Sequence, residues 1–386
     1  MNMRFGIDVL QRENFAQVQG KTFGLLTNLS AVNTHLQTTY RLCAEQTAGT
    51  LAAIFTPEHG FGGAVPDGIA VASAVDVRTG IPIHSLYATQ YRPTPEMLAN
   101  LDLIVCDIQD IGVRYYTYLW TVSLMLEEAG KHNIPILILD RPNPLGDFIC
   151  GLPVYQEMES LVGRYNIPMC HGMSMGELVL MFNARWNAHP AQVDVIRCEG
   201  WQRSQRWDAF GLPWIPTSPA MPHFSTVQQY PGACLIEGTN LSEGRGTALP
   251  FEIVGAPWCD GFALTDHLNA QQWAGVQFRV HAFRPTASKH AGQECSGVQV
   301  HITDNRVFHP LHVWLGIIRE IRNLYPVQFA WVEPPLGFEH HIDYLAGSCH
   351  LREGIDDGAT LAQILADEQS FCDQFVTIAQ SYQLYD

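Results

Sequence analysis

Apolar residues in the first 150 positions fall into short runs, and each run stops abruptly at charged and amide side chains. Thr22 to Leu26 runs into Thr27-Asn28-Leu29-Ser30, and Leu51 to Phe55 into Pro57-Glu58-His59-Gly60. Leu101 to Cys106 stops at Asp107-Ile108-Gln109-Asp110, and Ile136 to Leu139 at Asp140-Arg141-Pro142-Asn143-Pro144. Between these runs the period changes from strand-like to helical. Pro95 to Asn100 reads as a short helix. Tyr118 to Lys131 reads as a longer one, with Leu119, Val122, Leu126 and Ala129 at helical spacing. Alternation of this kind predicts βαβ units and a mainly parallel sheet. Ligands bind outside the carboxyl ends of the strands in such sheets, so the four polar clusters are expected along one edge.

Further on, Ser174 and Glu177 have capping-box spacing at the start of a helix running to about Trp186, and Val193 to Arg197 reads as a strand. Pro213 to Pro222 reads as a long ordered loop at a domain junction. The texture then changes. Gly275 to Val280 alternates as a half-exposed strand does, Val298 to Ile302 reads as a second strand, and Leu311 to Tyr325 as a helix. The expected architecture is an α/β domain over 1–225 with a mainly parallel sheet, and a smaller α+β domain over 226–386 closing on the first.

The 386 residues are 47% hydrophobic and 16% charged, enough for a large core. The formal charge of −16 argues against a nucleic-acid partner held by a broad basic surface. It leaves room for an anionic small molecule bound by one or two arginines. No apolar run reaches the length of a membrane span. The ten cysteines are scattered without a C-x-x-C pair, which favours a reducing compartment. With Met1 as the native start the expected location is the cytoplasm; a trimmed precursor would be secreted or periplasmic.

The clusters suggest chemistry. Glu58-His59 sits between a stiffening proline and a permissive glycine just after a buried strand. A carboxylic acid held there suits a general acid, with His59 positioning it or sharing its proton. Asp107 and Gln109 share a side if the strand continues. Arg114 either neutralises Asp107 or Asp110 or binds a substrate carboxylate. Tyr116 and Tyr118 offer hydroxyls and ring faces suited to sugars. Asp140 is expected to position a substrate hydroxyl or Arg141. Glu128 is a further carboxylate on the helix that starts at this edge. In the second domain, Glu237 to Thr247 is a glycine-rich polar loop whose Asn240, Ser242, Glu243 and Arg245 read as recognition groups. The alternative for each cluster is a structural turn or internal ion pair.

The motifs that are missing narrow the field. The Walker spacing and a G-x-G-x-x-G helix opening are absent, so no nucleotide cofactor is expected. The absence of G-x-S-x-G argues against a serine hydrolase. The sixteen histidines form no H-E-x-x-H, and His340-His341 with Asp343 is a weak pattern, so no metal is expected.

Taken in order, Gly6 to Leu10, Leu26-Thr27-Asn28, Pro57 to Gly60, Ser85-Leu86-Tyr87, Asp107 to Asp110 with Gly112-Val113-Arg114, Asp140 to Pro144, His171-Gly172-Met173 and Glu237 to Thr247 resemble the NamZ-type exo-β-N-acetylmuramidases. Gly255 to Trp258 and Phe283 to Thr286 extend the resemblance over nearly the whole chain. Two positions depart from the family pattern: Ala220 stands where asparagine is expected, and Gly62-Gly63 where arginine-glycine is expected. The resemblance implies a Rossmann-like N-terminal domain without a nucleotide, a smaller C-terminal domain and a cleft between them, and the removal of terminal N-acetylmuramic acid from peptidoglycan-derived saccharides or muropeptides. For such a reaction Glu58 is the expected general acid/base, and Asp107, Asp110, Glu128 and Glu243 are the candidates for the second group, unless the substrate's acetamido group takes that role. Arg114 or Arg245 is expected on the lactyl carboxylate, and Asn28, Asn143, Asn240 and the tyrosines on hydroxyls and the acetamido group. The rivals are a hydrolase of another amino sugar or muropeptide, and a carbohydrate-binding protein without turnover.

Overall fold

The structure is a computed structural model and describes residues 3–333 and 339–386. The chain forms two compact units. One comprises Met1–Phe148, His171–Pro222 and Phe375–Asp386; the other comprises Ile149–Cys170 and His223–Gln374. Segment 149–170 thus belongs with the later residues, and 375–386 with the earlier ones.

The first unit is built on a seven-stranded sheet. Its strands are β1 (Thr22–Leu26), β2 (Thr50–Thr56), β3 (Ala74–Val75), β4 (Pro82–Ser85), β5 (Leu103–Cys106), β6 (Ile136–Leu139) and, after two short strands β7 (Ile149–Cys150) and β8 (Cys170–His171), β9 (Val193–Ile196). The order across the sheet is β3-β4-β2-β1-β5-β6-β9. Every pairing is parallel except β3 with β4. Leu103 to Cys106 and Ile136 to Leu139 are buried at every position, as expected of central strands covered on both faces. Helices α1 (Gly6–Arg12), α2 (Thr39–Glu45), α3 (Pro95–Leu98), α4 (Tyr118–Lys131) and α5 (Met175–Arg185) connect and flank them. Fully buried Trp120 stacks on Phe182, joining α4 to α5.

Strand order reverses direction at β1. The chain moves outward from β1 through β2 to β4, then returns to β5 on the other side of β1. The carboxyl ends of β1 and β5 therefore flank a topological switch point, where doubly wound sheets place their ligands. Asp107 N–H bonds the Leu26 carbonyl at 3.0 Å across this point.

The second unit carries a three-stranded antiparallel sheet in the order β10 (Ile253–Ala256), β12 (Cys295–Ile302), β11 (Val276–Phe283). Both predicted strands are longer than the alternating pattern shows, because β11 and β12 pair continuously from Val276↔Ile302 to Phe283↔Cys295. Helices α6 (Phe224–Ala233), α7 (Gly261–Ala270) and α8 (Pro310–Leu324) surround it, with Trp314 fully buried. Pro231 lies inside α6, which hides that helix from a sequence reading. Among the described residues, no helix is long and apolar enough to cross a membrane.

Candidate functional site in the first unit

Glu58 follows β2 directly and is 7% exposed. The chain turns sharply behind it, with Gly60 N–H bonded to the Pro57 carbonyl at 3.1 Å. His59 is left-handed at φ 69° and Gly60 at φ 72°. Left-handed geometry at a non-glycine residue costs about 1 kcal/mol or more, and such strain gathers at functional positions. His59 Nδ1 lies 2.7 Å from the Val65 carbonyl, and its ring meets Tyr118 edge-on at 6.3 Å.

Both oxygens of Glu58 are held. Gly68 N–H donates to Oε1 at 3.0 Å, and the Thr117 hydroxyl donates to Oε2 at 2.7 Å. Thr117 occupies the N-cap position of α4, where threonine usually accepts from the helix's own N–H groups. Here it makes no side-chain cap and turns to Glu58 instead. Burial, with the Glu58 carboxylate close by, pushes the Tyr87 hydroxyl's pKa up.

The neighbouring polar groups form one network. Asn28 Nδ2 donates to the Tyr118 hydroxyl at 3.1 Å, and Tyr118 donates to the Thr217 carbonyl at 2.6 Å. Tyr116 donates to the Thr217 hydroxyl at 2.7 Å, and the two tyrosine rings lie 4.6 Å apart. Burial raises the pKa of both phenols, so they remain hydrogen-bond donors.

Beyond β5 the two aspartates part company. Asp107 forms a buried two-toothed ion pair with Arg141, at 2.5 Å from Nε and 2.9 Å from Nη2, and accepts a further bond from the Thr39 hydroxyl. Both of its oxygens are thus engaged by partners within the first unit. Arg141 also bonds the Val32 carbonyl and lies over the Phe5 ring. Asp110 Oδ2 accepts from Gly112 N–H at 2.6 Å and lies 3.2 Å from His171 Nε2. Its Oδ1 is buried and has no hydrogen-bond partner among the described residues. The same holds for Gln109 Oε1, and for the hydroxyls of Thr56 and Ser85, which are register partners at the ends of β2 and β4. Buried polar atoms without partners are rare in folded proteins and point to a ligand or water at this edge. Gln109 and Arg141 line a shallow, narrow pocket with Phe5, Ser30, Asn33 and Trp207; Glu58 does not line it.

Other expected site residues have different work. Asp140 is fully buried and accepts from Tyr385, Ser174, Gly176 N–H and Arg141 N–H at 2.6 to 2.9 Å. It holds the start of α5 through Ser174 and Gly176. Asn143 bonds the Met173 carbonyl and Leu145 N–H and packs against Gly112. Glu128 pairs with Arg92 and Lys131 at 3.0 and 2.8 Å. Eleven residues of helix separate it from Thr117, about 16 Å along the axis. Arg114 is completely buried, and its carbonyl accepts from Trp120 Nε1. The ion-pair partners of Asp107 and Asp110 are Arg141 and His171, not the expected Arg114.

In the second unit, the glycine-rich loop is internally braced. Arg245 pairs with Glu237 at 2.5 Å and Glu243 at 3.6 Å, and Lys289 with Glu243 at 2.9 Å. Asn240 exchanges bonds with Gln328 and Ala330, and Ser242 accepts from Gly244 N–H. Thr117, Thr217, Gly68 and Thr39 escape a sequence reading, since lone threonines and glycines carry no pattern. Tyr87 and His171 stand in the motifs that carry the family resemblance.

Known proteins resemble this chain in sequence and in fold. The NamZ exo-beta-N-acetylmuramidase N-terminal domain matches residues 23–225, and its C-terminal domain matches residues 228–385. The chain is 40% identical over 381 residues to the peptidoglycan beta-N-acetylmuramidase NamZ of Bacillus subtilis (strain 168), covering 98% of this chain and 91% of that one. A crystal structure of a DUF1343 family protein from Bacteroides fragilis NCTC 9343 superposes with a TM-score of 0.91 at 34% identity, covering 100% of this chain and 99% of that one. A second DUF1343 family protein from the same organism gives a TM-score of 0.77 at 27% identity with the same coverage. With both halves of the sequence matched and a relative alike over almost its full length, this chain belongs to the NamZ exo-β-N-acetylmuramidase family.

Proposed function

We propose that this chain is a glycoside hydrolase that releases terminal N-acetylmuramic acid from peptidoglycan fragments, with Glu58 as the proton donor. The observation that carries the assignment is the setting of Glu58. It follows a central strand, and a donor holds each of its oxygens. It sits beside a strained His59 and an array of tyrosine and asparagine groups suited to a sugar. Membership of the family supports the substrate.

In this reading Glu58 delivers its proton to the bridging oxygen as the glycosidic bond breaks, and the departing saccharide leaves as an alcohol. The second role falls to the substrate's acetamido group: its oxygen bonds to C1 as the leaving oxygen departs, closing an oxazoline, and water that returns a proton to Glu58 then opens this ring to free N-acetylmuramic acid. Asp110 receives the acetamido N–H on its unpartnered Oδ1. The products place the chain in turnover of cell-wall saccharides. Ten free cysteines, nine of them buried, support a reducing compartment, and we place the protein in the cytoplasm.

The test is Glu58→Gln assayed on an aryl N-acetylmuraminide beside the matching aryl N-acetylglucosaminide. The expected result is a loss of about 10²- to 10⁴-fold on the former, with folding intact. A loss of only a few-fold removes Glu58 from the role. Equal turnover of both sugars by the unaltered chain removes the lactyl-bearing substrate.

A further inference from the structure

In the second unit, three chemically different donors from distant parts of the chain meet. The Cys150 thiol, the His309 imidazole and the Glu368 carboxylate have ligand atoms all within 4.8 Å of one another. Cys150 lies in β7, His309 is the N-cap residue of α8, and Glu368 opens a later helix. Spacing along the sequence could not reveal this set, because the three positions span 218 residues.

The surroundings fit a metal ion better than a plain ion pair. Glu368 is oriented by Gly151 N–H at 2.9 Å on Oε1 and by His312 Nε2 at 3.1 Å on Oε2. Partners of this kind fix a ligand carboxylate in known metal sites. The His309 and His312 rings stack at 3.9 Å. Two more buried thiols lie near Cys150: Cys170 is close enough to interact with its sulfur, and Cys372 contacts the Gly151 carbonyl. The buried side of the cluster is therefore rich in soft sulfur. The His309 and His312 side chains are 31% and 49% exposed and leave a way in for an ion.

We propose that Cys150, His309 and Glu368 form a binding site for a divalent ion of the zinc class, with His312 beside it to orient Glu368 or complete the coordination. The charges balance: one thiolate and one carboxylate neutralise the two positive charges of the ion. Binding converts the Cys150 thiol to a metal thiolate and releases one proton to solvent. Zinc bonds of roughly 2.0–2.3 Å place adjacent tetrahedral donors about 3.5 Å apart, so the donors close by about 1 Å. His309 Nδ1 now accepts a long 3.4 Å bond from His312 N–H. Coordination through Nε2 moves the ring proton to Nδ1 and releases that contact. The ion then ties β7 to the start of α8, a stabilising role within the second unit.

The test uses the full chain, stripped with a chelator and titrated with Zn²⁺ against a chromophoric competitor. One ion per chain is expected, together with a Zn²⁺-dependent rise in melting temperature. Co²⁺ is expected to give a thiolate-to-cobalt charge-transfer absorption that Cys150→Ser abolishes. Since Cys150→Ser alters a buried position, His309→Asn is the second variant; asparagine keeps the helix cap but is a poor ligand. It is expected to weaken Zn²⁺ at least tenfold while the melting temperature of the stripped chain stays unchanged. Absence of stoichiometric binding overturns the proposal. So does binding that both variants leave unchanged, which would mark surface histidines as the ligands.

Discussion

The hydroxyl of Thr117 donates to Glu58 Oε2 at 2.7 Å, so the first residue of α4's capping turn holds an acid delivered by β2, 59 positions earlier. Thr117 thereby acts as a positioning residue for the proposed proton donor. Thr117→Val keeps the shape and removes the donor. One hydrogen bond to a charged group is worth about 1.5 kcal/mol, so kcat is expected to fall roughly tenfold while KM changes little. Thr117→Ser is expected to restore most of the rate. Steady-state kinetics on an aryl N-acetylmuraminide check both, and an equal loss in the serine variant argues against the role.

Asp107 and Arg141 are expected to answer differently from Glu58. Removing one partner of a buried ion pair strands the other, at a cost of roughly 3–5 kcal/mol. Asp107→Ala is therefore expected to lower the urea midpoint strongly. Per folded molecule, its activity should remain far above that of Glu58→Gln. Urea denaturation read beside active-site titration separates the two effects.

Asp140 makes stability depend on pH. Desolvation raises its carboxyl to about 6 from an ordinary 3.8, even though Tyr385, Ser174 and Gly176 N–H favour the charged form. Folding thus favours the protonated acid between these values. Its contribution to stability is fully present below about 3.8 and is lost as pH rises through about 6, a change on the order of 2–3 kcal/mol. Asp140→Asn keeps an oxygen for the two N–H donors and an amide that the two hydroxyls can accept from. It is expected to fold and to flatten this part of the stability curve, as followed by denaturation between pH 4 and pH 7.

Gly112 has φ +84°, and a Cβ there would lie 2.3 Å from Asn143 Oδ1. Gly112→Ala is expected to cost more than about 3 kcal/mol through strain and displacement of Asn143. The move would also disturb Asp110, whose Oδ2 accepts the Gly112 N–H. Thermal unfolding with a parallel assay should show both losses together.

The parallel sheet was legible because each central strand is a fully apolar run closed by a polar cluster, as at Ile136 to Leu139 before Asp140. Capping at Ser174 and Glu177 was legible from spacing alone, and both reciprocal bonds are present. The division of labour among the charged groups was not. Asp107, Asp110 and Asp140 look alike in sequence, yet one is neutralised by Arg141, one keeps an unpartnered oxygen and one is enclosed by hydroxyls. Those differences arise from partners 34 to 245 positions away. Helix α6 was hidden by Pro231, and Thr117 by being an ordinary threonine.

Tyr385 and Leu384 N–H hold Asp140 and Glu177, so the start of α5 is fastened by residues made after the entire second unit. On the ribosome, α5 must wait with a solvent-starved carboxylate at its entrance until that segment emerges. The first unit begun is therefore the last finished, and the chain's assembly is circular where its synthesis is linear.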